Sequence, residues 1–127
     1  MHFISSLLIA SALFAVSNAA CQVCSCAAPA TFTKEYFDSK IAPTGEDTLE
    51  DFTFVAVNKV SVVGCTIELD CTFGDLSGSG EARRVAVGPD GELTSNSNLK
   101  SVTCNNGKWM LSSGEIQNVG CFVSSPM

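Results

Sequence analysis

The side chains best equipped for covalent chemistry in this 127-residue sequence are its 7 cysteines, Cys21, Cys24, Cys26, Cys65, Cys71, Cys104 and Cys121. Cys21-Gln22-Val23-Cys24 has the spacing of a dithiol redox motif, but such motifs work at a helix start in a βαβ setting, and none follows. Cys21, Cys24 and Cys26 with one further cysteine could hold zinc, yet the second paired-cysteine knuckle of such sites is missing. The carboxylates Glu46, Asp47, Glu50 and Asp51 crowd one stretch. They could chelate calcium or supply the acid–base pair of a glycosidase, but the stretch lacks the ligand order of an EF-hand, and neighbouring carboxylates are ordinarily a solvated surface. The sole histidine is His2. It falls in a leader, so Ser-His-Asp triads, Cys-His nucleophiles and histidine metal sites are excluded from the remainder. No cofactor, no metal and no catalytic residue is expected.

Which chemistry the sulfurs perform depends on compartment. Phe3 to Val16 is an uncharged apolar run too short to span a bilayer, and Ser17-Asn18-Ala19-Ala20 places small residues three and one before a cut after Ala19. Residues 1–19 therefore read as a signal peptide and 20–127 as a secreted domain. A lipoprotein anchor would need an apolar residue where Asn18 stands. In an oxidising compartment cysteines close into bridges. Seven cannot all pair within one chain, and counting leaves the partners open. Three bridges are expected from Cys21, Cys24, Cys65, Cys71, Cys104 and Cys121, with Cys26 left free or joined to another chain.

The charge of −6 lies wholly in 20–127. It disfavours nucleic acid, anionic membranes and antimicrobial action.

The elements that must position these sulfurs read as strands. Cys65 to Phe73 alternates apolar and polar residues, the period of a strand with one buried face. Cys65 and Cys71 would share that face about 20 Å apart at about 3.3 Å per residue, too far to bridge each other. Phe52 to Val57 and Lys59 to Val63 are rich in β-branched and aromatic residues. Arg84 to Val87 leads into the turn Gly88-Pro89-Asp90-Gly91, with Glu92-Leu93-Thr94 as a returning arm, and Ile116 to Val123 is a last strand. Arg83-Arg84 invites a prohormone-cleavage reading, but at a strand start the pair is better read as structural, on the solvent face. Asn106-Gly107 is a preferred two-residue hairpin turn. It sets Cys104 opposite Trp109 and Val102 opposite Leu111, so the indole should cover the bridge that Cys104 forms, with Cys71 its first candidate partner. Glu46 to Asp51 could add a helical turn with Thr44 as N-cap and Asp47 returning the bond. Lys34-Glu35-Tyr36-Phe37 holds the sole tyrosine, either an exposed contact or core. No Asn-x-Ser/Thr sequon occurs. The fold class is all-β, a small disulfide-stapled sandwich or open barrel.

The series Cys21-x2-Cys24, Cys65-x5-Cys71, Cys104-Asn105-Asn106-Gly107-Lys108-Trp109 and Ile116-x2-Val119-Gly120-Cys121 resembles the nematode secreted six-cysteine domain, a family of unknown function. The resemblance spans Cys21 to Cys121. It implies an extracellular β-module with three bridges, no catalytic residue to carry over, and a pairing of the first and third cysteines that maps onto Cys21 and Cys65. Cys26 departs from the pattern. The expected function is a secreted, non-catalytic binding or structural module, with a protease inhibitor presenting the Gly74 to Gly80 loop or a carboxylate-dependent hydrolase as the alternative. Expected partners are an extracellular protein or glycan, without nucleic acid or membrane insertion, and an intermolecular disulfide through the odd cysteine.

Overall fold

Apolar alternation, tight turns and one capped helical segment account for most of the backbone. A computed structural model describes residues 24–74, 80–94 and 99–127. The leader, Cys21 and most of the Gly74 to Gly80 loop lie outside the described residues.

The fold is all-β and disulfide-stapled. Its strands are β1 (Glu50–Val55), β2 (Val57–Val63), β3 (Thr66–Cys71), β4 (Glu81–Val87), β5 (Thr103–Asn105), β6 (Lys108–Leu111), β7 (Gly114–Glu115) and β8 (Asn118–Pro126). They form three small antiparallel sheets, β1-β8-β4, β2-β3 and β5-β6-β7. β8 is the centre. It pairs with β1 from Glu50↔Pro126 to Val55↔Cys121 and, on its other edge, with β4 from Glu81↔Ser124 to Val87↔Asn118. Beyond the end of β1 the segment Ala30 to Phe32 takes over, with the Phe32 N–H donating to the Val119 carbonyl and the Val119 N–H to that of Ala30.

Because successive strand residues face opposite sides, β8 serves two cores. Val119, Cys121 and Val123 join Ile67, Leu69, Cys71 and Trp109 beneath the other two sheets. Phe122 joins Phe32, Phe37, Ile41, Val85 and Val87 on the opposite side. The central residues Val119, Cys121 and Phe122 are fully buried.

That second core is roofed by a helical segment that the sequence reading places too late in the chain. It comprises α1 (Lys34–Tyr36), a π-helical stretch Phe37–Ile41 and α2 (Ala42–Glu46). Thr33, rather than Thr44, is the N-cap, its Oγ1 accepting from the Tyr36 N–H at 3.1 Å. Phe37 and Ile41, four residues apart, supply the buried stripe, and Lys34 pairs with Asp38 on the outer face. Thr44 lies inside α2 with its hydroxyl donating to the Ile41 carbonyl, because Pro43 is already accommodated in that helix's first turn. The segment ends after Asp47, where Leu49 turns left-handed at φ 60°.

β2 and β3 also differ from expectation at one end. The strand starts at Thr66, and Gly64-Cys65 form a two-residue turn with φ of 55° and 60°. Two successive positive φ values suit the right-handed twist of a hairpin. Ile67, Leu69 and Cys71 then alternate inward as the sequence implies. Among the described residues no helix is long and apolar enough to cross a membrane.

Close approach at Gly120 sets a packing test. A Cβ there would lie 2.2 to 2.6 Å from three ring atoms of Phe32, so the ring rests on bare backbone. Gly120→Ala is expected to cost about 1–3 kcal/mol through overpacking. Denaturant unfolding of Gly120→Ala, Phe32→Leu and the double variant checks this: the double should cost clearly less than the sum of the singles, and simple additivity would refute the contact.

Candidate functional site

The sulfurs gather where the N-terminal segment meets the smaller sheets. Cys26 is bridged to Cys104 at the start of the β5-β6 hairpin, with Cα atoms 6.0 Å apart, and Cys71 at the end of β3 is bridged to Cys121 in mid-β8, 6.6 Å apart. This corrects two expectations. Cys26 is not the odd cysteine, and Cys104 does not pair with Cys71. The physical reason is facing: Cys71 points inward on β3 onto Cys121 of the central strand, leaving Cys104 to meet the segment carrying Cys26. Each bridge spans distant parts of the chain, with sequence separations of 78 and 50.

The hairpin forms as its turn dictates. Asn106 and Gly107 have φ of 53° and 81°, and the register places Cys104 opposite Trp109. Val102 and Leu111 are both buried in the core below. Trp109 is 5% exposed, shares that core with Cys26, and donates its Nε1–H to the Ala27 carbonyl at 2.7 Å. One indole thereby closes the hairpin against the extended N-terminal segment next to the Cys26–Cys104 bridge.

Cys24 and Cys65 are half-buried thiols. The Cys65 thiol is held above its ordinary range, chiefly by side-chain hydrogen bonding with Cys24 and further by burial. Cys24 also stands beside the existing bridge, since the sulfurs of Cys24, Cys26 and Cys104 lie within 4.8 Å of one another. Two of those three are bonded to each other, so the trio cannot act as three thiolate ligands. At φ 60° Cys65 occupies a conformation that costs an L-residue with a Cβ roughly 1–2 kcal/mol, and glycine or asparagine is its ordinary occupant.

The acidic stretch is spread out. Glu46, Asp47 and Asp51 are exposed, and Glu50 receives the Thr48 hydroxyl at 3.2 Å. Among the described residues no three carboxylates gather as ligands. Arg83 and Arg84 both lie within β4, and Arg84 does not face solvent as expected. Its Nε donates to the Leu69 carbonyl at 3.1 Å and its guanidinium lies 5.0 Å from the centre of the Phe73 ring. Register explains this, because Arg84 pairs with Cys121 and so projects toward the β2-β3 sheet.

Two clefts among the described residues are of ligand size. One, about 330 Å³, is lined by Thr66 to Leu69, Arg84, Leu99 and Lys100, and its guanidinium is already committed as above. The other, about 490 Å³, runs between the helical segment and the β4 turn, lined by Tyr36, Lys40, Thr44, Asp90, Gly91 and Gln117 together with Pro89. Tyr36 is the residue singled out in the sequence as a candidate aromatic contact; it is half-buried, while its neighbour Phe37 is core. Lys40, Thr44 and Gln117 carry no local signal that would unite them. Only the Pro89-Asp90-Gly91 turn is readable from sequence.

The chain is thus an all-β, disulfide-stapled fold with a sulfur cluster at one junction and a polar groove at another. No protein-family model, no curated protein and no solved structure matches it.

Proposed function

We propose that the chain is a secreted, non-catalytic extracellular binding module, and that the groove over Tyr36 is where it recognises a neutral polar ligand of the glycan class. The observation that carries this reading is the lining of the groove. One half-buried tyrosine offers a flat apolar ring with a polar tip, ringed by an ammonium, a hydroxyl, a carboxylate and a carboxamide from Lys40, Thr44, Asp90 and Gln117. Ligand sites combine an apolar or aromatic floor with a few polar groups that fix orientation, and alternating apolar faces and hydroxyls on a sugar suit that mixture. The walls are firm. On one side the helical segment is anchored by Phe37 and Ile41, and on the other Gly88 and Glu92 are hydrogen-bonded across the turn, with the Gly88 N–H donating at 2.8 Å. Secretion is supported by the leader and by two disulfides, bonds typical of oxidising compartments.

The test is a glycan array probed with the oxidised protein, followed by calorimetric titration of any ligand found. Tyr36→Ala should weaken binding roughly tenfold or more, about 1.4 kcal/mol, and, because the ring also stacks on Phe32, should lower the thermal midpoint, whereas Gln117→Ala should weaken binding with the midpoint almost unchanged. Absence of binding on the array, or binding indifferent to Tyr36→Ala and Gln117→Ala, would remove the groove from consideration.

A further inference from the structure

We propose that Cys24 and Cys26 compete for Cys104 by internal thiol–disulfide exchange, so that the N-terminal segment is tied to the β5-β6 hairpin through either of two cysteines. Cys26 and Cys104 are bonded, and the sulfur of Cys24, a free thiol, lies within 4.8 Å of both of theirs. The three sulfurs meet because burial alternates along the segment: Cys24 is half-buried, Ser25 exposed and Cys26 buried, so the two cysteines project to the same side across the serine. A nucleophilic sulfur and a disulfide are thereby held together, which is the arrangement that exchange requires.

Of the two sulfurs that Cys24 can attack, Cys104 gives the product that keeps the hairpin tied. Attack on Cys26 would close a small ring across Ser25 alone and release the hairpin. Attack on Cys104 closes a loop about as long as the present one, whose sequence separation is 78, and loop entropy changes only slowly with length. The two bridges therefore constrain the unfolded chain almost equally. Cys26, at 7% exposure, can remain in the core as a thiol, because a protonated cysteine packs as a small apolar side chain. The 2.7 Å bond from the Trp109 indole to the Ala27 carbonyl fastens the segment one residue beyond Cys26, so both cysteines stay beside Cys104 whichever is bonded.

The step needs no outside oxidant. Cys24 gives its proton to water, and the thiolate attacks the Cys104 sulfur. The Cys24–Cys104 bond forms as the Cys26–Cys104 bond breaks, the electron pair of the broken bond leaves on the Cys26 sulfur, and that thiolate takes a proton from water. One disulfide and one thiol are present before and after. The hairpin stays fastened throughout, while its point of attachment moves two residues along the N-terminal segment.

The test reads which sulfur is free. The oxidised protein is held at mildly alkaline pH without added thiol, quenched in acid, unfolded in guanidinium and labelled with N-ethylmaleimide at weakly acidic pH, where protonation of thiolates slows further exchange. Digestion after Lys100 and Lys108 isolates Cys104 in a peptide of its own, and fragmentation of the N-terminal peptide places label on Cys24 or on Cys26. Label should appear at Cys26 in about 1–10% of molecules, the share of a minor state, with the remainder at Cys24 and none at Cys104. Cys21→Ser should leave that division unchanged, and Cys24→Ser should abolish the label at Cys26. In Cys26→Ala, Cys104 should stay bridged and unlabelled, and the double variant Cys24→Ser with Cys26→Ala should free it. If Cys26→Ala folds poorly by circular dichroism, the unmutated protein against Cys24→Ser decides alone. Label at Cys26 no greater than in Cys24→Ser, its loss in Cys21→Ser, or a labelled Cys104 in folded Cys26→Ala would overturn the exchange.

Discussion

Trp109→Ala is expected to lower the unfolding free energy by about 3–5 kcal/mol, as aromatic truncations in packed cores do. The indole is 5% exposed, sits opposite Cys104 in the hairpin, and shares its core with Cys26, Leu111 and Ile116. Its removal leaves a cavity beneath the Cys26–Cys104 bridge and strips the Ala27 carbonyl of its 2.7 Å donor. Trp109→Phe retains much of the apolar contact and loses the hydrogen bond, so it should cost roughly 1–2 kcal/mol. Guanidinium titration followed by far-UV circular dichroism measures both, since the alanine variant has no tryptophan to report. A loss under about 1 kcal/mol for Trp109→Ala would contradict the buried position. In the unmutated protein, full reduction should brighten indole emission, because a nearby disulfide quenches it.

The second large effect concerns Cys71–Cys121. Replacing both residues by alanine should destabilise the protein by about 2–5 kcal/mol, the usual cost of deleting a native disulfide from a small secreted domain. Loop entropy alone, for a sequence separation of 50, gives about 4 kcal/mol. Cys121→Ser together with Cys71→Ala should be worse than the double alanine, because residue 121 is fully enclosed and a hydroxyl there loses water. Denaturation midpoints under identical non-reducing conditions decide the order. If the serine version is the more stable, water or a polar partner reaches that position.

Sequence pattern was most informative where structure is local. Asn106-Gly107 specified a turn and, by counting outward, the opposition of Cys104 and Trp109, since two-residue hairpins leave no freedom of register. Inward alternation of Ile67, Leu69 and Cys71 was equally legible. Cys65 continued the same alternation on paper but entered the turn, because period-two pattern does not mark where a strand begins and Gly64 was the sole clue. Disulfide partners were out of reach for a different reason. Cys26 and Cys104 are 78 residues apart, and which distant faces meet depends on how three sheets pack around β8. The helical segment was placed too late because Pro43 and Gly45 lower the intrinsic helical tendency of 34–46, while burial of Phe37 and Ile41 outweighs that deficit. The groove was invisible for the same reason as the bridges: Tyr36, Asp90 and Gln117 come from three separate parts of the chain.

β8 has a bearing on biosynthesis. It hydrogen-bonds to β1, to β4 and to the segment at Ala30 to Phe32, and through Cys121 it receives the covalent tie from β3. All of these partners precede it in the chain. During translation each therefore emerges before the strand that completes its hydrogen bonding, and neither core can close until residues 118–126 have appeared. Such late, long-range pairing slows folding. It also delays capture of Cys71 by Cys121 until residues 118–126 have emerged. Folding and oxidative maturation are in this way ordered by topology: collapse around β8 comes first, and closure of the Cys71–Cys121 bond only after that strand arrives.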